Sequence, residues 1–338
     1  TARFCLDRGW RFTLSQQSVL PSRITHETIY AFSKGNGAQG PAGLTFDDNA
    51  WERVDLPHDW QHLTPLDLTG NVSHGYHPTG VGWYRRAFAL CPEDEDKELQ
   101  LRFDGISGVS DVYFNGAKLR HNERCYNGFT LSLTDLAHFG AAPNVIAIKV
   151  DKTQWEGWWY EGCGVNRHVW LCKRPRLHVA PDGLWVKPLR EADGEWRLAC
   201  ETTAFNASPQ QARGRLCLRA FAPDGREVAR MEAPLCLGTY EERAIQTQCA
   251  VSASQLWSPD APALYTLQAE LHGPQGTDTV ETRFGLRHIR VDAERGFFLN
   301  DQPLKLLGVC NHQDHAGVGA AIPKDLWRYR LERLKAMG

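Results

Sequence analysis

No stretch of this 338-residue sequence approaches the roughly 18 consecutive apolar residues that a membrane-crossing helix needs, which excludes a helical membrane span within it. An excess of charge is missing as well. There are 38 basic and 40 acidic residues, a formal net charge of −2, and no basic stripe with interleaved aromatics. That argues against nucleic acid as a partner, because phosphate binding requires a concentrated positive surface. The ten cysteines contain no Cys-x-x-Cys pair and no Cys/His spacing of a zinc site. They are scattered from Cys5 to Cys310, and Cys172, Cys217 and Cys249 alternate with polar neighbours as small buried hydrophobes do. Unpaired thiols in this number favour a reducing compartment, the cytoplasm, over the periplasm or export. The opening Thr-Ala-Arg-Phe is not a signal peptide, although the lack of an initiator methionine leaves room for a leader already removed.

What is present is an ordinary globular balance, with 42% apolar and 23% charged residues, enough for more than one core. At domain sizes of roughly 100 to 200 residues the length predicts two or three domains. Residues 1–177 read as short strands: Gly9 to Phe12, Trp51 to Leu56, Gly82 to Leu90, Leu99 to Asp104, Asp111 to Phe114, Asn144 to Asp151 and Val169 to Cys172. Asn115-Gly116 directly after a strand is a strong hairpin signal. The polar, Gly-rich run from Gln16 to Gly43 reads as a long loop, and a second loop passes through Asn71, His74 and His77. With no convincing helix among these strands, a jelly-roll β-sandwich is expected.

Residues 178–288 form a second all-β block whose length and strand spacing suit an immunoglobulin-like sandwich, without the Cys-Trp-Cys pattern of a true immunoglobulin domain. Residues 289–338 change character. Phe297 to Pro303 reads as a tight hairpin. Leu304, Leu306, Leu307 and Val309 read as a strand buried on both faces, and Pro323 to Met337 has helical spacing with Trp327, Leu331 and Leu334 on one side. A buried strand, a polar loop and an amphipathic helix make one β/α unit, the expected start of a (β/α)8 barrel. Such a unit cannot cover its own apolar surface, so disorder or irregular packing is expected after about Leu304.

The strongest site candidate is the loop after that strand, where Asn311, His312, Asp314 and His315 arrive together at a strand's carboxyl end. In α/β folds ligands bind at that end. The competing reading is a hydrogen-bonded turn, to which Asn311 is well suited. Among the twelve tryptophans, Trp155, Trp158 and Trp159 could stack on a sugar ring or simply be buried. His58 and Asp59 read as a structural turn at a strand end.

Taken in order, several fragments resemble glycoside hydrolase family 2, the β-galactosidases, β-glucuronidases and β-mannosidases. They are Leu56-Pro-His-Asp-Trp60, Trp83 to Arg86, Phe103-Asp-Gly105 with Asp111 to Gly116, and Gly162 to Trp170. Leu256 to Pro259 with Pro262 to Tyr265, Phe284 to Arg287, Gly296 to Asn300 and Gly308 to His315 follow. Leu-Pro-His-Asp-Trp and Asn-His-Gln-Asp-His lean towards galactosidase-like members.

The resemblance implies a sugar-binding jelly roll, an immunoglobulin-like spacer and the beginning of a catalytic TIM barrel. The implied activity is retaining hydrolysis of β-galactosides, with His312 lining the sugar pocket and Asp314 accepting sugar hydroxyls between Asn311 and His315. Asn71 and Trp158 would reach that pocket from the jelly roll. Both catalytic glutamates are expected beyond Gly338, so no catalytic residue is assigned here and this piece alone is expected to be inactive. No cofactor or metal ligand is expected within it. Full-length relatives bind metal ions in some cases and often form homo-oligomers. The alternative is a non-catalytic carbohydrate-binding or structural module that uses the jelly roll alone.

Overall fold

The computed structural model describes residues 1–15, 40–72, 75–123, 126–153, 159–252 and 255–338. The chain is mostly β and divides into two compact units. The first comprises residues 3–95, 99–172 and 310–338. Its larger sheet has six strands in the order Glu52–Val54, Trp10–Ser15, Val81–Phe88, Asn144–Asp151, Val109–Phe114 and Ala117–Asn122. A second sheet orders Ala2–Cys5, Val169–Arg174, Glu98–Phe103 and Phe129–Ser132. Alternation places Trp10, Tyr84, Leu99, Leu101, Phe103, Phe114 and Ile148 in one continuous core. Each such side chain contributes on the order of 1.5 to 3 kcal/mol by leaving water.

The hairpin expected at Asn115-Gly116 is present. Both residues adopt left-handed φ, 49° and 84°, as a type I′ turn requires, and Phe114 pairs with Ala117 across it. Arg85, in the central strand Val81–Phe88, is buried. Its guanidinium bonds Asp48 Oδ2 at 2.9 Å and the Pro41, Gly43 and Phe46 carbonyls, which fastens residues 40–48 to the sheet.

The second unit comprises residues 1–2, 96–98 and 173–309. One three-stranded sheet runs Leu177–Arg190, Trp196–Asn206 and Glu242–Val251. A four-stranded one runs Glu227–Leu237, Ala212–Phe221, Tyr265–Gly273 and Gly276–Phe284. Every second residue of Leu198 to Asn206 and of Tyr265 to Leu271 is buried, and the apolar members form the core of this immunoglobulin-like sandwich. A small sheet of Ile289–Asp292, Gly296–Leu299 and Gln302–Pro303 follows. Its last turn is the expected hairpin, with Asn300 and Asp301 at φ 51° and 65°.

The strand expected over Leu304 to Val309 does not form. Leu306, Leu307 and Val309 are 68%, 71% and 65% exposed, and the segment carries no ladder. A strand is held by its neighbours, and among the described residues none lies alongside this one. The helix is present as Lys324–Ala336, with Pro323 as N-cap and Gly338 left-handed after it. Its half-buried face is Leu326, Trp327, Arg330 and Leu334, whereas Leu331 is exposed. The burial is spread more thinly than the apolar spacing predicts.

Candidate functional site

The polar loop at 310–320 is built onto the jelly roll through one carboxylate. The segment Trp60–Leu63 is a single helical turn whose N-cap is Asp59. Asp59 is only 3% exposed. Its Oδ1 accepts the backbone N–H of Gln61 at 3.2 Å, of His62 at 3.4 Å and of Cys163 at 3.0 Å. The first two are ordinary capping bonds. Its Oδ2 accepts the Tyr160 hydroxyl at 2.6 Å and the Ala320 N–H at 2.8 Å.

Two glycines make this approach feasible. A Cβ on Gly162 would stand 2.5 Å from Asp59 Oδ2, and one on Gly319 would overlap the same oxygen; both glycines have left-handed φ, +73° and +56°.

Tyr160 is the second organising residue. Its carbonyl accepts Gln313 Nε2 at 3.3 Å, and the same Nε2 donates to the Tyr126 hydroxyl at 3.1 Å. Burial, then the neighbouring Asp59 and more weakly Asp314, push the Tyr160 phenol far above its ordinary pKa, so it is a hydrogen-bond donor at any working pH. On one side of it lies the His77 ring, 4.8 Å between centroids. Burial lowers the His77 pKa, favouring a neutral imidazole.

His312 meets Trp159, the residue before Tyr160, edge to face at 5.1 Å and 82°. Trp159 is 44% exposed, so one aromatic surface remains open beside an exposed imidazole. Asp314 and His315 are half-buried: Arg330 of the helix donates to the Asp314 carbonyl at 3.1 Å, and the His315 N–H bonds the Gly319 carbonyl at 2.9 Å. The loop is therefore closed on itself and tied to the following helix.

The structure thus gathers His312, Asp314 and His315 in one loop against the jelly roll. Asn311 lies exposed in the same loop. Asn71 sits in the connection after Leu63, its carbonyl accepting the Tyr76 N–H at 3.1 Å, and His77 near the end of that connection is the residue that meets Tyr160. Trp155 and Trp158 lie outside the described residues.

Sequence reasoning missed Asp59, Tyr160 and Gln313 as partners. Asp59 was expected in a local turn, and it is indeed a cap. Its Oδ2, however, reaches residues 101 and 261 positions away, which no local pattern signals. The glycines at 162 and 319 were the available clue. Among the described residues no group of three or more His, Cys, Asp or Glu could hold a metal ion.

Chemically, the cluster offers a partly open aromatic ring, an exposed imidazole and the exposed Asn311 amide. Apolar faces and directional polar groups of this kind suit a ligand that carries both.

Comparison with known proteins gives the family. Residues 177–287 match the Glycosyl hydrolases family 2 domain. The chain is 34% identical over 313 residues to the β-galactosidase BoGH2A of Bacteroides ovatus, covering 91% of this chain and 36% of that protein. It is 30% identical to a β-glucuronidase of Bacteroides fragilis, with 85% and 42% covered. Among solved structures, β-glucuronidase 2 of Bacteroides uniformis, covalently bound to a cyclophellitol-6-carboxylate aziridine, superimposes with a TM-score of 0.84 at 25% identity, over 100% of this chain and 38% of the other. The chain belongs to glycosyl hydrolase family 2 and spans a little over a third of the length of these relatives.

Proposed function

We propose that this chain is the N-terminal part of a retaining β-glycosidase acting on terminal β-galactosides, and that residues 310–320 form one wall of its sugar pocket. The observation that carries the proposal is the edge-to-face pairing of His312 with the partly exposed Trp159 ring, in a loop held by Asp59 and Tyr160. In this reading Trp159 stacks on a sugar face, His312 donates to a hydroxyl that gains charge in the transition state, and Asp314 accepts from a neighbouring hydroxyl. Asn311, His315 and Asn71 complete the wall. The greater similarity to BoGH2A supports the galactoside.

Retention needs two carboxyl groups about 5 to 5.5 Å apart, one nucleophile and one acid/base. Asp59 cannot be one of them, because both its oxygens are engaged within the fold. Both carboxyls are assigned to glutamates in the part of the relatives that this chain does not cover, so the 338 residues alone do not turn over. The division into a jelly roll to 177, an immunoglobulin-like spacer to 288 and a barrel start from 289 belongs to the same proposal. So does a cytoplasmic location.

The family names also favour a second substrate, since relatives over the same region are β-glucuronidases. The experiment is to measure kcat/KM of the full-length protein on nitrophenyl β-galactoside and β-glucuronide. A preference of tenfold or more for the galactoside is expected. A reversed preference replaces the substrate, and the absence of turnover on either sinks the enzyme reading.

A further inference from the structure

We infer that Asp59 is a positioning residue for the sugar pocket: it latches residues 319–320 to the jelly roll and, through Tyr160, sets where His312 stands. This rests on the reading of His312 as a pocket residue, but the latch itself is separable from it.

The capping role of Asp59 does not account for its surroundings. Capping a four-residue helix uses Oδ1 alone, towards Gln61 and His62. Oδ2 makes no capping bond. Instead it takes one hydrogen bond from the jelly-roll segment that carries Trp159 and Tyr160, and one from the far end of the loop that carries His312. Two glycines leave room for that oxygen, one in each segment, at positions where any side chain would occupy its place. The carboxylate therefore sits at a three-way junction from which side chains have been cleared.

From this junction the connections run to the pocket by short steps. Tyr160 holds Gln313 with its carbonyl, and its preceding neighbour Trp159 faces the His312 ring. Ala320 holds the other end, with the His315–Gly319 bridge shortening the loop between. His312 is thereby fixed from both sides without touching Asp59. Positioning matters here because a displacement of about 1 Å in a group that acts on the transition state can cost about a hundredfold in rate. A charged acceptor suits the task, since hydrogen bonds to an ionised group are short and roughly twice as strong as neutral ones.

The test has two arms in the full-length protein. Hydrogen exchange reads the latch without reference to activity. In Asp59→Asn, peptides covering residues 310–322 should exchange at least tenfold faster than in the wild type, while those covering 144–151 in the central sheet stay unchanged. Kinetics reads positioning. Tyr160→Phe, which removes one hydroxyl, should lower kcat/KM about tenfold in the wild-type background and less than twofold in a His312→Ala background, because both changes disable the same group. Unchanged protection over 310–322 overturns the latch. Equal losses from Tyr160→Phe in both backgrounds overturn the action through His312. A protein that cleaves neither glycoside sinks the enzymatic reading and the positioning role with it, and the exchange arm still decides the latch.

Discussion

The Tyr160 hydroxyl donates to Asp59 Oδ2 at 2.6 Å, joining residues 101 positions apart at a point where a third segment, at Ala320, also arrives. The 310–320 loop is held by this junction more than by the sandwich core behind it. The loop it anchors has little apolar burial of its own, since Asn311 and His312 are exposed and the residues up to Val309 lie open. The site's order is therefore carried by polar contacts, which are directional and sensitive to single substitutions.

The glycines at the junction give the first prediction. Gly162→Ala places a methyl group 2.5 Å from Asp59 Oδ2 on a residue already at φ +73°. Both the strain and the lost bonds act in one direction, and a destabilisation of about 2 to 4 kcal/mol is expected. Gly140→Ala is the control for φ alone: it has a similar φ, +77°, and open space around it, so it should cost only about 1 kcal/mol. Denaturant midpoints of the two variants check this, and equal losses would remove the steric argument.

A second prediction concerns acid. His58 is buried with Nδ1 2.8 Å from the Tyr84 hydroxyl and its ring against Phe12, and burial pulls its pKa from 6.5 down to about 4. The unfolded chain binds this proton more readily than the folded one. The contribution of neutral His58 is therefore complete above about pH 6.5 and is lost as pH falls towards 4. On the scale of 1.36 kcal/mol per unit, this loss amounts to roughly 3 kcal/mol. The wild type should lose more melting temperature between pH 7 and pH 4.5 than His58→Gln does. Parallel losses would show that the imidazole is not kept neutral.

A third prediction addresses the buried pair Lys152 and Glu161, 2.8 Å apart, next to the junction segment. Lys152 is 1% exposed, so Lys152→Met strands a carboxylate and should cost about 3 to 5 kcal/mol. Adding Glu161→Leu removes the stranded charge and should recover at least half of that loss. Chemical denaturation of the single and double variants reads the difference, and a double variant less stable than the single one would contradict the account.

The β architecture was legible because strand alternation and turn chemistry are local. Asn115-Gly116 and Asn300-Asp301 announce their hairpins in two residues each, and both adopt the left-handed φ their turns demand. The helix from Lys324 was legible for the same reason, through Pro323 and its apolar spacing. Leu304 to Val309 misled because its composition is that of a buried strand, and composition cannot supply the neighbouring strands that would bury it. The site was half legible. His312, Asp314 and His315 stand out as a cluster of functional side chains, whereas Asp59 and Tyr160 look like any cap and any aromatic until the fold brings them together.

The most direct measurement of the central claim is His312→Ala in the full-length protein, with kcat and KM for the β-galactoside determined beside the melting temperature. If the 310–320 loop is a wall of the sugar pocket, kcat/KM falls by about a hundredfold, as when one donor to a developing charge is removed, while the exposed position leaves melting within a degree or two. Wild-type kcat/KM in a folded His312→Ala protein would contradict it.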